Sequence, residues 1–314
     1  MTGRAAPTAG RGTAGEPEGP DQEPIRSDLP AWWMRALFLA LCRLLRWMGP
    51  LRYVLADGVG TACYLTMRVH RRRAAANHRR ANPPLGGRAA NKLARWSFCE
   101  YARTSVDFLW AMSQSLAEVK AKTAESGLDT VIAEVNGGQG GVIALTHFGN
   151  WDMAANVAAA YRIPVTTVMA PVGRVTKFVI WARNKNGLEV FAPRHAARGL
   201  FRALRKGRCV ALLCDIPSAG HTVDVRYCGG WVSFTSAPAW LARTTGCKIF
   251  PATSHRVNGV YTVTVFDPIT VGEADTDEMV MQQVASALEP IVTRTPRQWY
   301  PFHEVYVKST SSRV

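Results

Sequence analysis

The chain has 314 residues, which is enough for one large hydrophobic core, and we expect one or two domains. Its formal net charge of +15 favours an anionic partner such as an acidic lipid, a nucleic acid or a phosphorylated substrate. The seven cysteines form no Cys-x2-Cys pair, which argues against zinc and favours buried free thiols in a reducing compartment. No apolar run reaches the roughly 18 residues that a membrane-spanning helix needs.

The N-terminal region divides into a polar tail and an aromatic, basic segment. Residues 1–29 are rich in Gly, Pro, Ala and Glu, a composition that predicts disorder and contains no signal peptide. Tryptophans and leucines then recur at helical spacing until Gly49-Pro50, and a second apolar stretch covers residues 53–69. We predict an interfacial helical hairpin over residues 30–75, with tryptophans at headgroup depth and arginines on lipid phosphates. The alternative is a helical subdomain that packs on the core.

The positive charge is concentrated close to this hairpin. Residues 31–100 contain 13 Arg and Lys against two acidic residues, a net charge of +11. Bulky aliphatic residues separate these cations, and no recognisable nucleic-acid reader motif accompanies them. The pattern therefore favours an anionic membrane surface as the partner and argues against nucleic acid, although charge runs also form ordinary solvated faces.

The rest of the chain, residues 76–308, is predicted to be one α/β domain, followed by a disordered tail at residues 309–314. Helical and strand-like segments alternate along it, which predicts a mainly parallel central sheet with helices on both faces. The predicted strands are residues 131–135, 142–145, 165–170, 188–192, 209–214, 248–254 and 260–266. The predicted helices are residues 90–115, 153–161, 176–184, 196–206, 236–245 and 275–293.

The stretch Gly141–Asp152 carries the strongest chemical signal. Val142–Leu145 is an unbroken apolar run typical of a strand buried on both faces, and His147 follows its carboxyl end, where open α/β sheets bind ligands. Asn150 or Asp152 then begins a helix, whose free N–H groups favour a phosphate or an oxyanion. A neutral imidazole can deprotonate an alcohol when a carboxylate fixes its tautomer, so we predict His147 as base and Asp152 as its orienting carboxylate. Alternatively, Asn150 or Asp152 is only a helix N-cap and His147 is a loop histidine with satisfied hydrogen bonds.

The string His147-Phe-Gly-Asn-Trp-Asp152 resembles the His-x4-Asp signature of the glycerolipid (lysophospholipid) acyltransferase superfamily. It is most similar to the bacterial lipid A and phosphatidylinositol mannoside acyltransferase branch. The segment Pro296–His303 resembles the Pro-x-Gln-Trp-x-x-Phe-His-like tail of that branch, and the resemblance covers roughly residues 35–305. We interpret His303 as part of a structural aromatic cluster.

The resemblance implies an enzyme that is peripheral to the cytoplasmic face of the cell membrane. It would transfer a fatty acyl group from acyl-CoA or acyl carrier protein to a hydroxyl of a glycolipid acceptor. No cofactor and no metal is implied, and the absence of a Gly-x-Ser-x-Gly sequence argues against a covalent acyl-enzyme.

Three residues are candidates for substrate binding. Arg183 lies near the end of a segment that resembles the Arg-containing helix of the family, where a guanidinium would hold a phosphate or polarise the thioester carbonyl. The alternative is an arginine on the surface of that helix. Asp215 follows a predicted strand at the same sheet edge as His147, and both substrate orientation and loop capping remain open for it because Ile216-Pro217 departs from the family pattern. Asn150 lies inside the motif itself.

The acceptor is the least determined part of the prediction. The Arg- and Ala-rich composition favours an actinobacterial source, and therefore a phosphatidylinositol mannoside over lipid A. Lipid A, a lysophospholipid or a secondary metabolite remain alternative acceptors. A non-enzymatic basic membrane-binding module is the alternative from another functional class.

Overall fold

A seven-stranded sheet forms the centre of the molecule, in the order β1-β9-β8-β2-β5-β3-β4. The computed structural model describes residues 23–25, 31–171, 173–193, 196–216 and 220–307, so most of both predicted tails lies outside the described residues. The strands are β1 Thr123–Ser126, β2 Val142–Leu145, β3 Val165–Val168, β4 Glu189–Phe191, β5 Cys209–Leu213, β6 Thr222–Tyr227, β7 Gly230–Thr235, β8 Ile249–Val257 and β9 Val260–Val265. The helices are α1 Trp32–Trp47, α2 Leu51–Thr66, α3 Arg68–Ala81, α4 Gly87–Ala111, α5 Leu116–Lys122, α6 Leu128–Asn136, α7 Trp151–Ala160, α8 Thr176–Lys185, α9 Ala196–Arg205, α10 Ala237–Thr245 and α11 Asp277–Arg294.

Five neighbouring strands of this sheet, from β8 to β4, run parallel to one another. Strand β9 is antiparallel to β8, and β1 at the edge is parallel to β9. Strand β2 lies between β5 and β8, with Val142 opposite both Val210 and Ile249. The predicted mainly parallel α/β fold is therefore confirmed, and the loop after β2 leaves the sheet at the middle of its carboxyl edge.

Helices cover both faces of the sheet, as predicted. On one face the core is built with side chains of α5, α6 and α7, such as Val119, Val131 and Val157. On the other face, α9, α10, α11 and the antiparallel β6–β7 hairpin supply the apolar side chains. The loop after β2 therefore leaves the sheet between the two apolar cores that cover its faces.

The N-terminal helices pack on one side and expose apolar side chains on the other. Gly60 of α2 lies so close to α4 that a Cβ there would meet the Cys99 Cα at 2.5 Å. On the outer side, Trp32 is 76% exposed and Trp47 85% exposed, and leucines of both α1 and α2 are exposed beside them. The packed side agrees with the helical-subdomain interpretation, and contact of the exposed side with a membrane stays a prediction. The predicted boundary after residue 75 falls inside α3. Among the described residues, no helix is long and apolar enough to cross a membrane.

Two segments differ from the prediction. Residues 131–135 belong to helix α6, because Leu128, Val131, Ile132 and Val135 repeat at helical spacing and line one face of the core. The β6–β7 hairpin lies where we expected only a loop before α10. Its turn at Cys228-Gly229 has φ values of 47° and 81°, the left-handed conformation that tight hairpins use.

Candidate active site

His147 and Asp215 form the central contact of the site. Nδ1 of His147 lies 2.8 Å from Oδ1 of Asp215. The backbone N–H of His147 also donates to both oxygens of the same carboxylate, at 2.9 and 3.0 Å. Asp215 is only 5% exposed, whereas the His147 side chain is 24% exposed. The carboxylate therefore fixes the ring from inside the protein and directs Nε2 towards the open side.

The arrangement follows from the sheet. Strands β2 and β5 are parallel neighbours, with Leu145 opposite Leu213, so the residues that follow them lie side by side at the carboxyl edge. Asp215 comes two residues after β5, as His147 comes two residues after β2. The prediction that Asp215 lies at the edge carrying His147 is thus met, and its contact with the imidazole is the geometric result that the sequence alone did not give.

The predicted pairing of His147 with Asp152 is corrected by the structure. Asp152 lies in the first turn of α7, and its Oδ1 accepts a 2.9 Å hydrogen bond from Nε of Arg183. Both side chains of this ion pair are largely buried, at 17% and 13% exposed. Since Asp215 occupies the position beside Nδ1, Asp152 instead joins α7 to α8.

The backbone of the motif is held tightly, so most of its N–H groups are not free for a ligand. The N–H of Phe148 donates to Thr146 O, that of Gly149 to Gln298 O at 2.8 Å, and that of Asn150 to Ser254 O at 2.6 Å. Together with the bond from His147 to Asp215, these contacts use every N–H from residue 147 to residue 150. The expected anion site at the helix start therefore does not involve these four donors.

An apolar cavity of about 90 Å³ lies beside the site, between α7 and the sheet. Its walls are mostly aliphatic and come from α6, α7 and five strands. Trp151, Asp152 and Arg183 also line it, and the Trp151 ring lies 5.3 Å from the His147 ring. The cavity therefore ends at a charged pair and an aromatic ring close to the histidine.

The sequence matches the model of a known protein family over most of its length. The sequence model of the bacterial lipid A biosynthesis acyltransferase family matches residues 22–308. The chain belongs to this family. The resemblance drawn from His147–Asp152 and Pro296–His303 is thereby confirmed at the level of an acyltransferase family.

Curated proteins that are similar to this chain carry a more specific name. A phosphatidylinositol mannoside acyltransferase of Mycolicibacterium smegmatis is 25% identical over 191 residues, or 59% of this chain and 62% of that protein. Phosphatidylinositol mannoside acyltransferases of two Mycobacterium tuberculosis strains are 32% identical over 132 residues, or 40% of this chain and 42% of theirs. The matched regions span less than two thirds of each relative.

Asn150, which we predicted to bind substrate, is the N-cap of α7 in the structure. Asn150 is fully buried, and its Oδ1 accepts a 3.0 Å hydrogen bond from the N–H of Met153 as the N-cap of α7. Its Nδ2 donates to the hydroxyl of Tyr261 at 3.3 Å. Both ends of the amide are therefore engaged inside the protein, and the substrate-binding role of Asn150 stays a prediction.

A hydrogen-bond network connects this asparagine to the N-terminal helices. The Tyr261 hydroxyl donates to the fully buried Asp107 of α4 at 2.7 Å. Asp107 also accepts from the Tyr53 hydroxyl at 2.9 Å and pairs with Arg52 of α2 at 3.3 Å. Burial with the Asp107 charge nearby raises the pKa of Tyr261 well above its usual range, so this phenol stays protonated and remains a donor.

His303, which we interpreted from the sequence as structural, lies close enough to Asp215 and His147 for both to affect its pKa. Burial lowers its pKa, while the Asp215 charge acts in the opposite direction and His147 adds to the lowering. Its backbone carbonyl accepts a 2.8 Å hydrogen bond from Asn77 of α3, which also holds Pro301 O at 2.9 Å. His303 thus belongs to the electrostatic surroundings of the His147–Asp215 pair, and its place in a recognised tail motif was the available signal.

Proposed function

We propose that this acyltransferase moves a fatty acyl group from an acyl thioester to a hydroxyl of a glycolipid at a membrane surface. The observation that carries the proposal is the His147–Asp215 hydrogen bond, with a partly exposed ring close to a largely apolar cavity. The names of the relatives support a phosphatidylinositol mannoside as the acceptor.

The proposed chemistry uses His147 as a general base. With Nδ1–H donated to Asp215, the lone pair of Nε2 accepts the proton of the acceptor hydroxyl while its oxygen attacks the thioester carbon. The new ester C–O bond forms and the C–S bond breaks. The imidazolium, stabilised by the Asp215 carboxylate, then returns its proton to the leaving thiolate. No covalent acyl-enzyme, cofactor or metal enters this sequence.

The acyl chain and the donor have separate proposed binding groups. The aliphatic cavity suits the hydrocarbon chain, because its burial there removes apolar surface from water. Arg183 donates a hydrogen bond from Nε to Asp152. Its remaining N–H groups would bind the thioester carbonyl or a donor phosphate. Asp152 would act by holding that guanidinium at the end of the cavity.

We further propose that the protein is peripheral to the cytoplasmic face of the cell membrane. The support is the exposed tryptophan and leucine surface of α1 and α2, next to a basic α3. Amphipathic helices of this composition bind the interface of anionic bilayers. Such a position would bring a lipid acceptor to the carboxyl edge of the sheet.

Product mass spectrometry tests the reaction. Purified protein is mixed with a membrane lipid extract and palmitoyl-CoA, or palmitoyl carrier protein, and His147→Ala serves as the control. We expect a new lipid heavier by one acyl chain, lost in the variant, whose head group identifies the acceptor. Acylated lipid A or lysophospholipid without acylated mannoside would overturn the acceptor assignment. No product from folded protein with either donor would favour the membrane-binding module.

A further inference from the structure

A second pocket, of about 250 Å³, lies between α1, α8 and the loop that joins α4 to α5. Its cationic lining residues are Arg43 of α1 and Lys185 of α8, and no carboxylate lines it. Ser113, Gln114 and Ser115 supply the other polar walls. This pocket shares no lining residue with the apolar cavity, which is lined by Arg183 of the same helix.

The two cations are not neutralised within the described part of the chain. Neither Arg43 nor Lys185 has a hydrogen-bond or salt-bridge partner there, whereas the neighbouring Arg46 is paired with Glu118 at 2.7 Å. Cys42 is no counter-ion for Lys185, because burial raises the pKa of its thiol to about 11 and keeps it neutral. Two cations that share a pocket repel each other until an anion binds between them.

The position of the pocket indicates where that anion comes from. Arg43 lies between Leu41 and Leu44, which are exposed on the outer face of α1. Adjacent helix residues are about 100° apart, so Arg43 lies on the flank of that apolar face. In a bilayer, lipid phosphates lie just outside the hydrocarbon, which is the depth that a cation on the flank of an interfacial helix reaches.

We propose that Arg43 and Lys185 bind the phosphate group of an anionic membrane lipid. The guanidinium and the ammonium would hold its oxygens by charge-assisted hydrogen bonds, with α1 seated in the interface. The source of the phosphate rests on the proposed membrane location, but the pocket and its unpaired cations do not. Because Lys185 and Arg183 lie on one helix, the bound lipid would also fix α8 relative to the bilayer beside the cavity.

Vesicle binding by the full-length protein tests this site. The double variant Arg43→Gln/Lys185→Gln is compared with Arg205→Gln/Lys206→Gln, an exposed pair of the same composition at the end of α9. Binding is measured on phosphatidylcholine vesicles with and without phosphatidylinositol. At about 1 kcal/mol per cation, we expect the pocket variant to bind phosphatidylinositol vesicles about thirtyfold more weakly and the control to change little. Binding to pure phosphatidylcholine should be the same for all three proteins.

Two outcomes would overturn the proposal. Equal weakening by both double variants would show that only the overall positive charge matters. A Tm of the unsubstituted protein that inorganic phosphate raises, with vesicle binding unaffected by the pocket variant, would reassign the pocket to a soluble phosphate ligand. The readout does not require acyl transfer, so failure of the proposed reaction and failure of this site are distinguishable.

Discussion

Asp215 shows what one residue's position contributes to the site. It lies 68 residues from His147 in the chain, yet it binds both the ring and the backbone N–H of that histidine. The sequence placed the two residues at one sheet edge, because both follow apolar strands. It could not show that these strands are neighbours, since strand order depends on packing between distant segments. The sequence therefore predicts the nearer Asp152 as the partner of His147, whereas in the structure Asp152 pairs with Arg183.

Substitution of the two aspartates separates these assignments. Asp215→Asn keeps the shape but removes the charge that stabilises the imidazolium and fixes its tautomer, so we expect kcat to fall on the order of 10³-fold or more. Asp152→Asn weakens only the contact with Arg183 and should raise KM more than it lowers kcat. Both are measured by acyl transfer from palmitoyl-CoA with folded variants. The reverse ranking would restore Asp152 as the orienting carboxylate.

His78 predicts a pH dependence of stability. Its ring is buried against Trp299, Nε2 lies 2.9 Å from the Ser97 hydroxyl, and burial lowers its pKa to about 4. Below about pH 6.5 the unfolded chain binds a proton at this residue that the folded chain does not. The free energy of unfolding should therefore decrease as pH falls from about 6.5 to 4, by up to about 3 kcal/mol.

Urea unfolding of the wild type and His78→Gln at several pH values measures this contribution. His255 and His303, whose pKa values burial also lowers, add a dependence of the same sign in both proteins. The free energy of unfolding of the variant should therefore still decrease as pH falls, but by less than in the wild type, because the contribution of His78 is gone. Parallel pH profiles for the two proteins would contradict the prediction.

At the scale of the elements, the turn from β2 to α7 depends on Gly149. Its φ is +64°, and a Cβ there would lie 1.9 Å from the backbone oxygen of Ser254 on β8. Gly149→Ala must therefore move β8 or the His147 loop, and we expect a loss of about 3 kcal/mol of stability together with most of the activity. Urea unfolding and acyl transfer assays measure the two effects.

Gly58→Ala is the matched control. Gly58 lies inside α2 with open space around it, so alanine should stabilise the helix by about 0.5–1 kcal/mol. If both substitutions had the same small effect on stability, the close approach of Gly149 to β8 would not be the constraint that we describe.

The spacing of apolar residues predicted the helices and strands well where a segment has a single buried face or is buried throughout. Strand β2 and helices such as α8 and α11 begin and end within a few residues of their predicted bounds, because each has one clear apolar pattern. Residues 131–135 were predicted as a strand because an apolar segment of five residues is too short to distinguish a helix from a strand. The β6–β7 hairpin was missed because its turn, Cys228-Gly229, is not a common hairpin pair.

At the scale of the whole molecule, the exposed apolar surface of α1 and α2 is the basis of the proposed membrane location. Leu37→Asn/Trp47→Asn removes two exposed apolar side chains without touching the packed side of α1. Since each buried side chain contributes about 1.5 kcal/mol or more, binding to phosphatidylcholine vesicles should weaken roughly a hundredfold. Sedimentation with vesicles measures this effect.

The control is Trp240→Asn/Met279→Asn, which removes two exposed apolar side chains from α10 and α11. It should sediment with vesicles like the unsubstituted protein. Equal loss by both variants would show that α1 has no special role at the lipid surface.

The strand order has a consequence for biosynthesis. Strand β2 is completed only when β8 pairs with it, and Val142 and Ile249 are 107 residues apart in the chain. At roughly 5–20 residues per second, the ribosome releases β8 roughly 5 to 20 seconds after β2. Helices α1, α2 and α4 precede both strands, and a single helix forms in far less time. The helices that we propose to face lipid thus leave the ribosome before the sheet can close. At a membrane, a nascent chain would therefore meet the bilayer before it could carry out any reaction.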